Sequence, residues 1–438
     1  MKILFFILSF FSFSIAPIQL WANTGETYGL GSRVTSMGGA IGVSEPDAFG
    51  AFYNPASLTG SRETTISLGI FSADTHFEKI SSVVVENDEV GHTKVVGDVS
   101  TDYAPTRGTL FGFSAPLRKE FRRVSVGLSG FVPFERLLRM NTSEPFVPSY
   151  PLYENRTQRF SLYGGLGVEI FRDFSLGAGG AFFMNTAGKA YVRTNQSGTP
   201  TLSMAMDVVP ALAPIVGGHY RRGLFAAGVT WRGVVDYHLD FVNEAETPAI
   251  AGGSTPLSLG FDSSSTFFYD PQQVSFGASY WLFDQRILVA SELSWQDWSR
   301  YESPLARFKS RGDIDFGNYE PASQFRDIWV PRFGMEYLLS PAWSLRGGYF
   351  FQPTPIAGNP GSENLLDSDK HVISGGLGIH LPTFAGLIDA PLKIDLHCQY
   401  HRLSSRHIDK TDPDEVGAPG FNVGGSIWNY GVTLSSAF

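Results

Sequence analysis

The chain has 438 residues, of which 43% are hydrophobic and only 17% are charged, whereas about 25% are charged in an average globular protein. The formal net charge of −9 provides no basic surface for nucleic acid. A single cysteine excludes a disulfide framework and any metal site made of several cysteines. This composition fits poorly with a soluble cytosolic enzyme.

Residues 1–22 are predicted to be a cleaved signal peptide. Lys2 supplies the charged start, residues 3–15 form an apolar stretch, and Ala22 offers a small residue for cleavage. A signal anchor that stays in the inner membrane is the alternative, but Pro17 and Gln19 interrupt the apolar run. No later stretch approaches the roughly 20 apolar residues of a transmembrane helix. We therefore expect an exported chain without such a helix.

Residues 23–62 are predicted to form a compact segment without strands. They are rich in glycine and other small residues, with isolated large apolar ones such as Phe49 and Phe52. Small side chains allow backbone segments to approach closely, as a segment folded inside a confined lumen requires. A periplasmic linker is the alternative, although linkers do not usually carry so many large apolar side chains.

Beyond this segment, strand after strand shows alternating polar and apolar residues. In residues 392–403, for example, Asp395 and His397 fall on one face and Leu396 and Cys398 on the other. One polar and one apolar face fits either a soluble sandwich or a barrel whose apolar face meets lipid. Fourteen strands are predicted, near residues 64–80, 107–118, 123–138, 157–171, 174–186, 204–220, 224–240, 272–283, 286–300, 326–339, 343–354, 370–381, 392–404 and 424–438.

The connections between the predicted strands alternate between short and long. Residues 172–173 and 284–285 are short turns, whereas residues 141–156 and 243–271 are long and rich in glycine and proline. Short turns on one side, long loops on the other and an even strand number are typical of outer-membrane barrels. The sequence therefore predicts an all-β fold, a 14-stranded antiparallel transmembrane β-barrel over residues 63–438, in the outer membrane of a Gram-negative-type bacterium.

The last predicted strand ends on an aromatic residue. Trp428, Tyr430 and the terminal Phe438 lie on one face of it. A terminal strand of this kind is the pattern that barrel-assembly machinery reads. We therefore expect this strand to bind that machinery, and the exterior of the barrel to contact outer-membrane lipid and lipopolysaccharide.

The segment before the first predicted strand resembles the FadL/TodX family of outer-membrane transporters for hydrophobic compounds. The motif consists of M-G-G-A at residues 37–40, D-A at residues 47–48 and Y-N-P-A-S-L at residues 53–58. Residues 291–299 and 325–347 are similar to strands of the same family. The resemblance covers most of the chain after the signal peptide.

This resemblance implies that residues 23–62 form a hatch that plugs the barrel lumen from the periplasmic side. Asn54, Pro55 and Ala56 would be the hatch motif, since proline fixes a turn and an amide can satisfy backbone groups in a dry lumen. It also implies passive uptake of hydrophobic molecules, with ligand-triggered movement of the hatch. Long-chain fatty acids are the first expectation, and aromatic or alkane hydrocarbons are the second.

The family also has an inward kink in its third barrel strand, which opens a lateral gap in the wall. Here the third predicted strand contains Gly130, Pro133 and Phe134. Proline cannot donate to the ladder, so in a closed barrel it favours a local break. The alternative is a proline beyond the membrane zone, where pairing matters less. We expect the ligand to leave sideways at this kink.

Large apolar side chains are the expected ligand contacts. Phe49 and Phe52 belong to the hatch segment. Apolar side chains in the predicted loop over residues 243–271 would be unusual in a plain solvated loop, which makes it a candidate for first contact with an apolar ligand. Its candidate contact residues are Leu257, Phe261, Phe267 and Phe268.

No enzymatic activity, metal or cofactor is expected. His397 and His401 share a face with Asp395, but residues four apart on a strand are about 13 Å apart, too far for one metal ion. A Ser-His-Asp site would need residues from different strands, and no phosphate-binding glycine motif opens a helix. A lumen-based hydrolase and a structural or secretion-associated barrel remain the alternatives to transport.

Overall fold

The computed structural model describes residues 24–88, 93–118, 124–135, 146–154, 159–194, 200–247, 257–303, 307–312, 317–321, 324–359, 361–382 and 390–438. The predicted signal peptide lies outside these ranges. The helices are α1 (Thr24–Tyr28), α2 (Ser32–Ser36), α3 (Gly50–Tyr53) and α4 (Pro151–Glu154), with 3₁₀ helices at Pro55–Gly60 and Gly361–Glu363. None of the helices in the described ranges is long and apolar enough to cross a membrane.

Strands make up most of the described chain. They are β1 (Thr65–Phe77), β2 (Ile80–Asp88), β3 (Thr93–Val99), β4 (Thr106–Arg118), β5 (Val124–Pro133), β6 (Ser161–Phe171), β7 (Phe174–Thr194), β8 (Pro200–Arg222), β9 (Phe225–Arg232), β10 (Val235–Thr247), β11 (Leu257–Asp270), β12 (Gln273–Leu282), β13 (Ile287–Gln296), β14 (Arg307–Gly312), β15 (Ile328–Ser340), β16 (Trp343–Gln352), β17 (Lys370–Leu381), β18 (Leu392–Asp409) and β19 (Gly420–Ala437).

Fourteen of these strands close into one antiparallel barrel. Their order around the wall is β1, β4, β5, β6, β7, β8, β9, β12, β13, β15, β16, β17, β18 and β19, and β19 pairs with β1 from Ala437↔Thr65 to Gly425↔Phe77. Closure leaves no open edge, which in lipid would expose unpaired backbone groups. The prediction of a 14-stranded antiparallel barrel is confirmed.

The alternation seen in the sequence separates the outer and inner faces of the wall. In β1, Ile66, Leu68 and Ile70 are exposed on the outside, whereas Ser67 and Phe71 are buried. Successive side chains of a strand point to opposite faces, so one stretch of chain serves lipid and lumen at once. The short turns mark the periplasmic end and the long connections the extracellular end.

Five of the described strands lie beyond the barrel wall on the extracellular side. β2 pairs with β3, β10 with β11, and β11 with β14, while β10 adds in parallel to β7 at residues 189–194. The prediction of a loop over residues 243–271 is therefore wrong for most of these residues, which belong to β10 and β11. The pairing of β7 with β6 stops at Phe182. The extracellular part of β7 beyond this residue therefore has a free edge, to which β10 adds.

Residues 24–62, which we call the hatch, fill the lumen. α2 contacts β16 to β19, and the 3₁₀ helix that follows α3 contacts β4 to β8, on another part of the wall. The side chains of Leu30, Val34, Met37, Ile41 and Phe49 are at most 1% exposed. The interior of the barrel is therefore a packed core formed by the hatch rather than an open channel.

Candidate functional site

Glycines of the wall make room for the hatch. A Cβ atom at Gly217 of β8 would lie closer than 3.0 Å to Asn54 Oδ1, and one at Gly177 of β7 would lie equally close to the backbone N of Ala56. Real Cβ atoms essentially never approach so closely, so any larger residue would displace the hatch. Other wall glycines that meet the hatch in this way are Gly167, Gly228, Gly334, Gly348 and Gly376.

Sequence analysis did not identify these glycines as functional, although a signal was present. Gly165 and Gly167 in β6, and Gly177 and Gly179 in β7, are spaced two residues apart, which places each pair on one face of its strand. Glycine repeated with period two in a barrel strand indicates a face that a second backbone approaches closely. That face is the lumen.

The predicted hatch motif lies at the centre of this contact. Asn54 is fully buried, and its Nδ2 donates to the carbonyl oxygens of Val43 (2.9 Å) and Gly218 (3.1 Å). Its Oδ1 accepts from the N–H of Ala56 at 3.0 Å, which caps the 3₁₀ helix that starts at Pro55. One amide therefore joins two parts of the hatch to each other and to β8.

Replacing Asn54 by alanine is expected to alter uptake of a hydrophobic compound while the barrel still assembles. The strands supply the ladder, whereas loss of each amide contact leaves a buried partner unsatisfied at a cost of about 1–3 kcal/mol. Heat-modifiable migration in gels measures assembly, and cell uptake measures transport. Asn422→Ala is the control, because Asn422 is exposed and bonds only to His407 among the hydrogen bonds described. Failure of Asn54→Ala to assemble would make the motif a folding element.

A layer of ion pairs joins the hatch to the periplasmic end of the wall. Arg33 Nη2 of α2 lies 2.9 Å from Glu336 Oε2. Arg346 Nε lies 2.6 Å from Glu336 Oε1, and its Nη1 lies 2.5 Å from Asp395 Oδ1. A cavity of about 560 Å³ borders this layer and is also lined by the charged residue Lys393. The periplasmic side of the hatch is therefore polar.

Two smaller cavities, of about 30 and 20 Å³, lie between the hatch and the wall on the other side of this layer from the periplasm. Aromatic and aliphatic side chains line both. Those of the first are Tyr28, Phe52, Tyr53 and Phe350, and those of the second are Tyr163, Phe183, Ile215 and Val235. The rings of Phe52 and Tyr163 pack edge to face with centroids 4.7 Å apart, so the apolar parts of the two linings are continuous, beside charged and polar residues that line both cavities.

The cationic side chains beside these cavities are paired with carboxylates of the chain. The pairs are Arg232–Glu26, Arg332–Glu292 and Arg159–Asp270. The guanidinium carbons of Arg232 and Arg332 also lie over aromatic rings, 4.2 Å from the centroid of Phe52 and 4.5 Å from that of Phe350. Among the described residues that line the two cavities, no cation lacks a carboxylate partner.

The histidines considered for catalysis serve the contact between wall and hatch. His397 Nδ1 lies 2.9 Å from Ser32 Oγ of α2. The ring of His401 packs against the rings of Tyr28 and Phe350, with centroids 5.9 and 6.0 Å apart. In the described part of the chain, no group of three or more potential ligands is placed to hold a metal ion.

The predicted kink residues occupy the extracellular half of β5. Gly130 lies within both ladders, opposite Phe111 of β4 and Leu162 of β6. Pairing with β6 ends at Phe131, whereas pairing with β4 continues to Pro133. At Val132 and Pro133, therefore, β5 pairs with β4 alone.

The side chains at this end of the β5–β6 ladder differ in exposure. Phe134 is 58% exposed, and its N–H donates to the carbonyl oxygen of Arg107 at 3.0 Å. Phe131 is buried against the ring of Phe71, with centroids 5.2 Å apart. An apolar surface therefore lies directly inside the wall where pairing with β6 stops.

The predicted ligand contacts fall into three groups. Phe52 lines the first cavity, whereas Phe49 packs in the hatch core against Gly31. The other four lie in β11, and their side chains are outside the described part of the structure. They are Leu257, Phe261, Phe267 and Phe268.

An aromatic cluster lies at the extracellular end of the barrel, where Tyr150 and Tyr153 come from a region predicted only as a polar loop. The rings of Phe77 and Tyr150 stack with centroids 4.2 Å apart, and Tyr150 Oη accepts from the N–H of Gly424 at 2.9 Å. Tyr153 Oη of α4 donates to Asp367 Oδ1 at 3.2 Å, and burial raises the pKa of that carboxyl. The signal was the pair of tyrosines three residues apart within this loop.

A 14-stranded barrel whose lumen is filled by an N-terminal hatch defines a class of outer-membrane transporters for hydrophobic compounds. The chain belongs to the family described as "Outer membrane protein transport protein (OMPP1/FadL/TodX)", whose model matches residues 20–438. The resemblance noted in the sequence is thus confirmed. The protein is a transporter of the bacterial outer membrane and not an enzyme.

Relatives and solved structures agree with this assignment. Alkane uptake protein A of Marinobacter nauticus is 24% identical over 426 residues, which cover 92% of this chain and 89% of that protein. A long-chain fatty acid transport protein of Escherichia coli is 24% identical over 146 residues, 33% of this chain and 30% of that protein.

Two crystal structures show the same fold. A Pseudomonas aeruginosa FadL homologue superposes with a TM-score of 0.61 at 15% identity, over 93% of this chain and 98% of that one. The toluene transporter TodX of P. putida superposes with a TM-score of 0.53 at 16% identity, over 94% and 99%.

Proposed function

We propose that this protein takes up neutral hydrocarbons, alkanes in the first place, and releases them sideways into the outer membrane. The pairing of charges at the two luminal cavities carries the proposal. A ligand with a carboxylate would need a cation there, and burial of an unpaired charge costs several kcal/mol. The cations that line the cavities, Arg232 and Arg332, already have partners in Glu26 and Glu292. A hydrocarbon carries no charge and needs no cation in the cavity.

The similarity to a protein named for alkane uptake, which extends over most of both chains, supports this ligand class. Long-chain fatty acids, the first expectation from the resemblance, become the second candidate. The observation in their favour is the partial match to a fatty acid transport protein. Transport is passive, because the outer membrane holds no ion gradient to couple and the sequence carries no nucleotide-binding motif.

The lateral route is favoured by the contrast between two sides of the lumen. A hydrocarbon that continued to the periplasm would have to cross the ion pairs of Arg33, Glu336 and Arg346, which are disrupted only at the cost of unpaired buried charges. Between β5 and β6, by contrast, pairing ends at Phe131, and Phe71 packs against it. The easier path for an apolar molecule is through the wall at this height.

The exterior supports the proposed contacts with the membrane and with assembly machinery. Apolar side chains such as Leu68, Phe333 and Ile373 are more than half exposed around the wall, as contact with lipid requires. Phe438 is 62% exposed at the end of the chain, available to a binding partner. Lipid, lipopolysaccharide and barrel-assembly machinery are the partners that we propose.

The test is uptake of radiolabelled hexadecane by cells that depend on this protein, with the lateral route closed by a disulfide. In a Cys398→Ser background, Val132→Cys and Phe160→Cys place a bridge between β5 and β6, one step beyond the last paired residues. We expect the oxidised bridge to reduce uptake about tenfold or more, and reduction to restore it. The control bridge joins Leu128→Cys to Gly164→Cys, which are already paired within the ladder.

Three outcomes would contradict the proposal in different ways. Equal uptake with and without the protein would favour a structural or secretion-associated barrel. Unchanged uptake with a fully formed bridge at residues 132 and 160 would exclude the lateral route. Loss of uptake with the control bridge as well would show that stiffening the strands, rather than closing a gap, is responsible.

A further inference from the structure

We propose that Glu26 determines ligand class by excluding molecules that carry a carboxylate. The inference rests on the proposed uptake of neutral hydrocarbons and names the residue that enforces it. In this interpretation the carboxylate of Glu26 occupies the position on Arg232 that the carboxylate of a fatty acid would otherwise take. The hatch thus supplies its own anion to a site in the wall.

The position of Glu26 supports this role. It lies on α1, the first helix of the hatch, and pairs with Arg232 at the end of β9. The two side chains are 11% and 12% exposed, so the pair is largely withdrawn from solvent. Glu26, Arg232 and Gln273 line both luminal cavities. The pair therefore lies where the two cavities adjoin. Each cavity has room for only a few waters, so a longer ligand meets the pair as the hatch moves to admit it.

The surrounding groups make Arg232 the cation that a carboxylate would reach. Its guanidinium lies over the ring of Phe52, which leaves the edge of the guanidinium for hydrogen bonds. Arg332 is held by Glu292 on the neighbouring part of the wall, and Asp270 of the second cavity is held by Arg159. A second carboxylate beside Glu26 would meet like charge, whereas a neutral chain meets none.

Removal of the negative charge at residue 26 reverses this balance. Arg232 would then keep only the longer-range attraction of Glu292 and Asp270, and the carboxylate of a ligand would replace Glu26 in a bidentate pair with its guanidinium. Hydrocarbon binding depends on the apolar lining, which the substitution leaves in place. Ligand preference should therefore change without loss of the original ligand.

The experiment measures equilibrium binding of radiolabelled palmitate and hexadecane to the purified full chain in mild detergent at neutral pH. We expect the wild type to prefer hexadecane. Glu26→Gln should bind palmitate about tenfold more tightly or better, as expected for a charge-assisted pair, with hexadecane affinity changed by less than about twofold. Adding Arg232→Gln to this variant should abolish the gain.

Glu45→Gln is the matched control. Glu45 is also a buried hatch carboxylate paired with a wall arginine, with its Oε2 2.6 Å from Arg221 Nη2, but it lines neither luminal cavity. This substitution removes the same charge and loosens a similar contact. We expect it to leave palmitate binding unchanged.

The outcomes separate the two proposals. Wild-type protein that binds palmitate as well as hexadecane would overturn the proposed function. Preference of the wild type for hexadecane, with no gain in Glu26→Gln, would overturn only the role of Glu26, and so would an equal gain in Glu45→Gln. If Glu26→Gln does not assemble, Glu26→Ala takes its place, and failure of both to assemble would assign a structural role to the pair.

Discussion

Replacing Gly217 by valine is expected to unseat the hatch and open the barrel to polar solutes while the wall still assembles. Any Cβ atom at this position of β8 clashes with Asn54 Oδ1, the amide that joins the hatch motif to the wall. Overpacking costs about 1–3 kcal/mol, which raises the population with a displaced hatch about 5- to 150-fold. The strands, which carry the ladder, need not change.

Channel conductance in planar bilayers and the sensitivity of cells to large polar antibiotics measure this opening. Gly164→Val is the control, because a Cβ atom at Gly164 of β6 has no atom of the protein within 4 Å. It adds the same side chain to a barrel strand without touching the hatch. A Gly217→Val protein that is as impermeable as the wild type would show that the hatch adapts to the wall, and the glycine contact would lose its functional meaning.

Removing Phe438 is expected to lower the amount of assembled barrel in outer-membrane fractions several-fold. The backbone N–H of Phe438 donates to the carbonyl oxygen of Thr64 at 2.9 Å, and its carbonyl accepts from the Thr64 N–H at 3.2 Å. These bonds continue the seam between β19 and β1. Unpaired backbone groups cost several kcal/mol each in lipid, and the exposed ring that assembly machinery would bind is lost as well.

Two substitutions at the same position separate these causes. Phe438→Ala keeps the two backbone hydrogen bonds and removes only the ring. Phe438→Tyr keeps the two hydrogen bonds and an aromatic ring. The fraction of heat-modifiable protein should fall for the alanine variant and stay near normal for the tyrosine variant if the ring is the recognised feature. Full assembly after deletion of Phe438 would show that neither the seam contact nor the ring matters.

The alternation of residues predicts strands with one apolar face, and the alternation of short and long connections selects the barrel over a sandwich. Ile66, Leu68 and Ile70 alternate with polar or small residues, and this period of two depends only on strand geometry. Residues 23–62 lack the alternation of the strands, and their resemblance to a family implies a hatch. Local sequence was misleading over residues 243–271, where β10 and β11 pair with each other and β10 also pairs with the part of β7 that extends beyond β6.

The sequence by itself determined the class of fold, since strand period and connection length are local, whereas the hatch over residues 23–62 and its motif at Asn54 were implied by the resemblance to a family. Only the tertiary structure decided which glycines face the hatch and which carboxylate neutralises Arg232. Those facts depend on register around a closed barrel, where Asn54 meets Gly218 across 164 residues of chain. A shift of one residue in any strand would turn a lumen-facing group towards lipid, so no local pattern specifies such pairs.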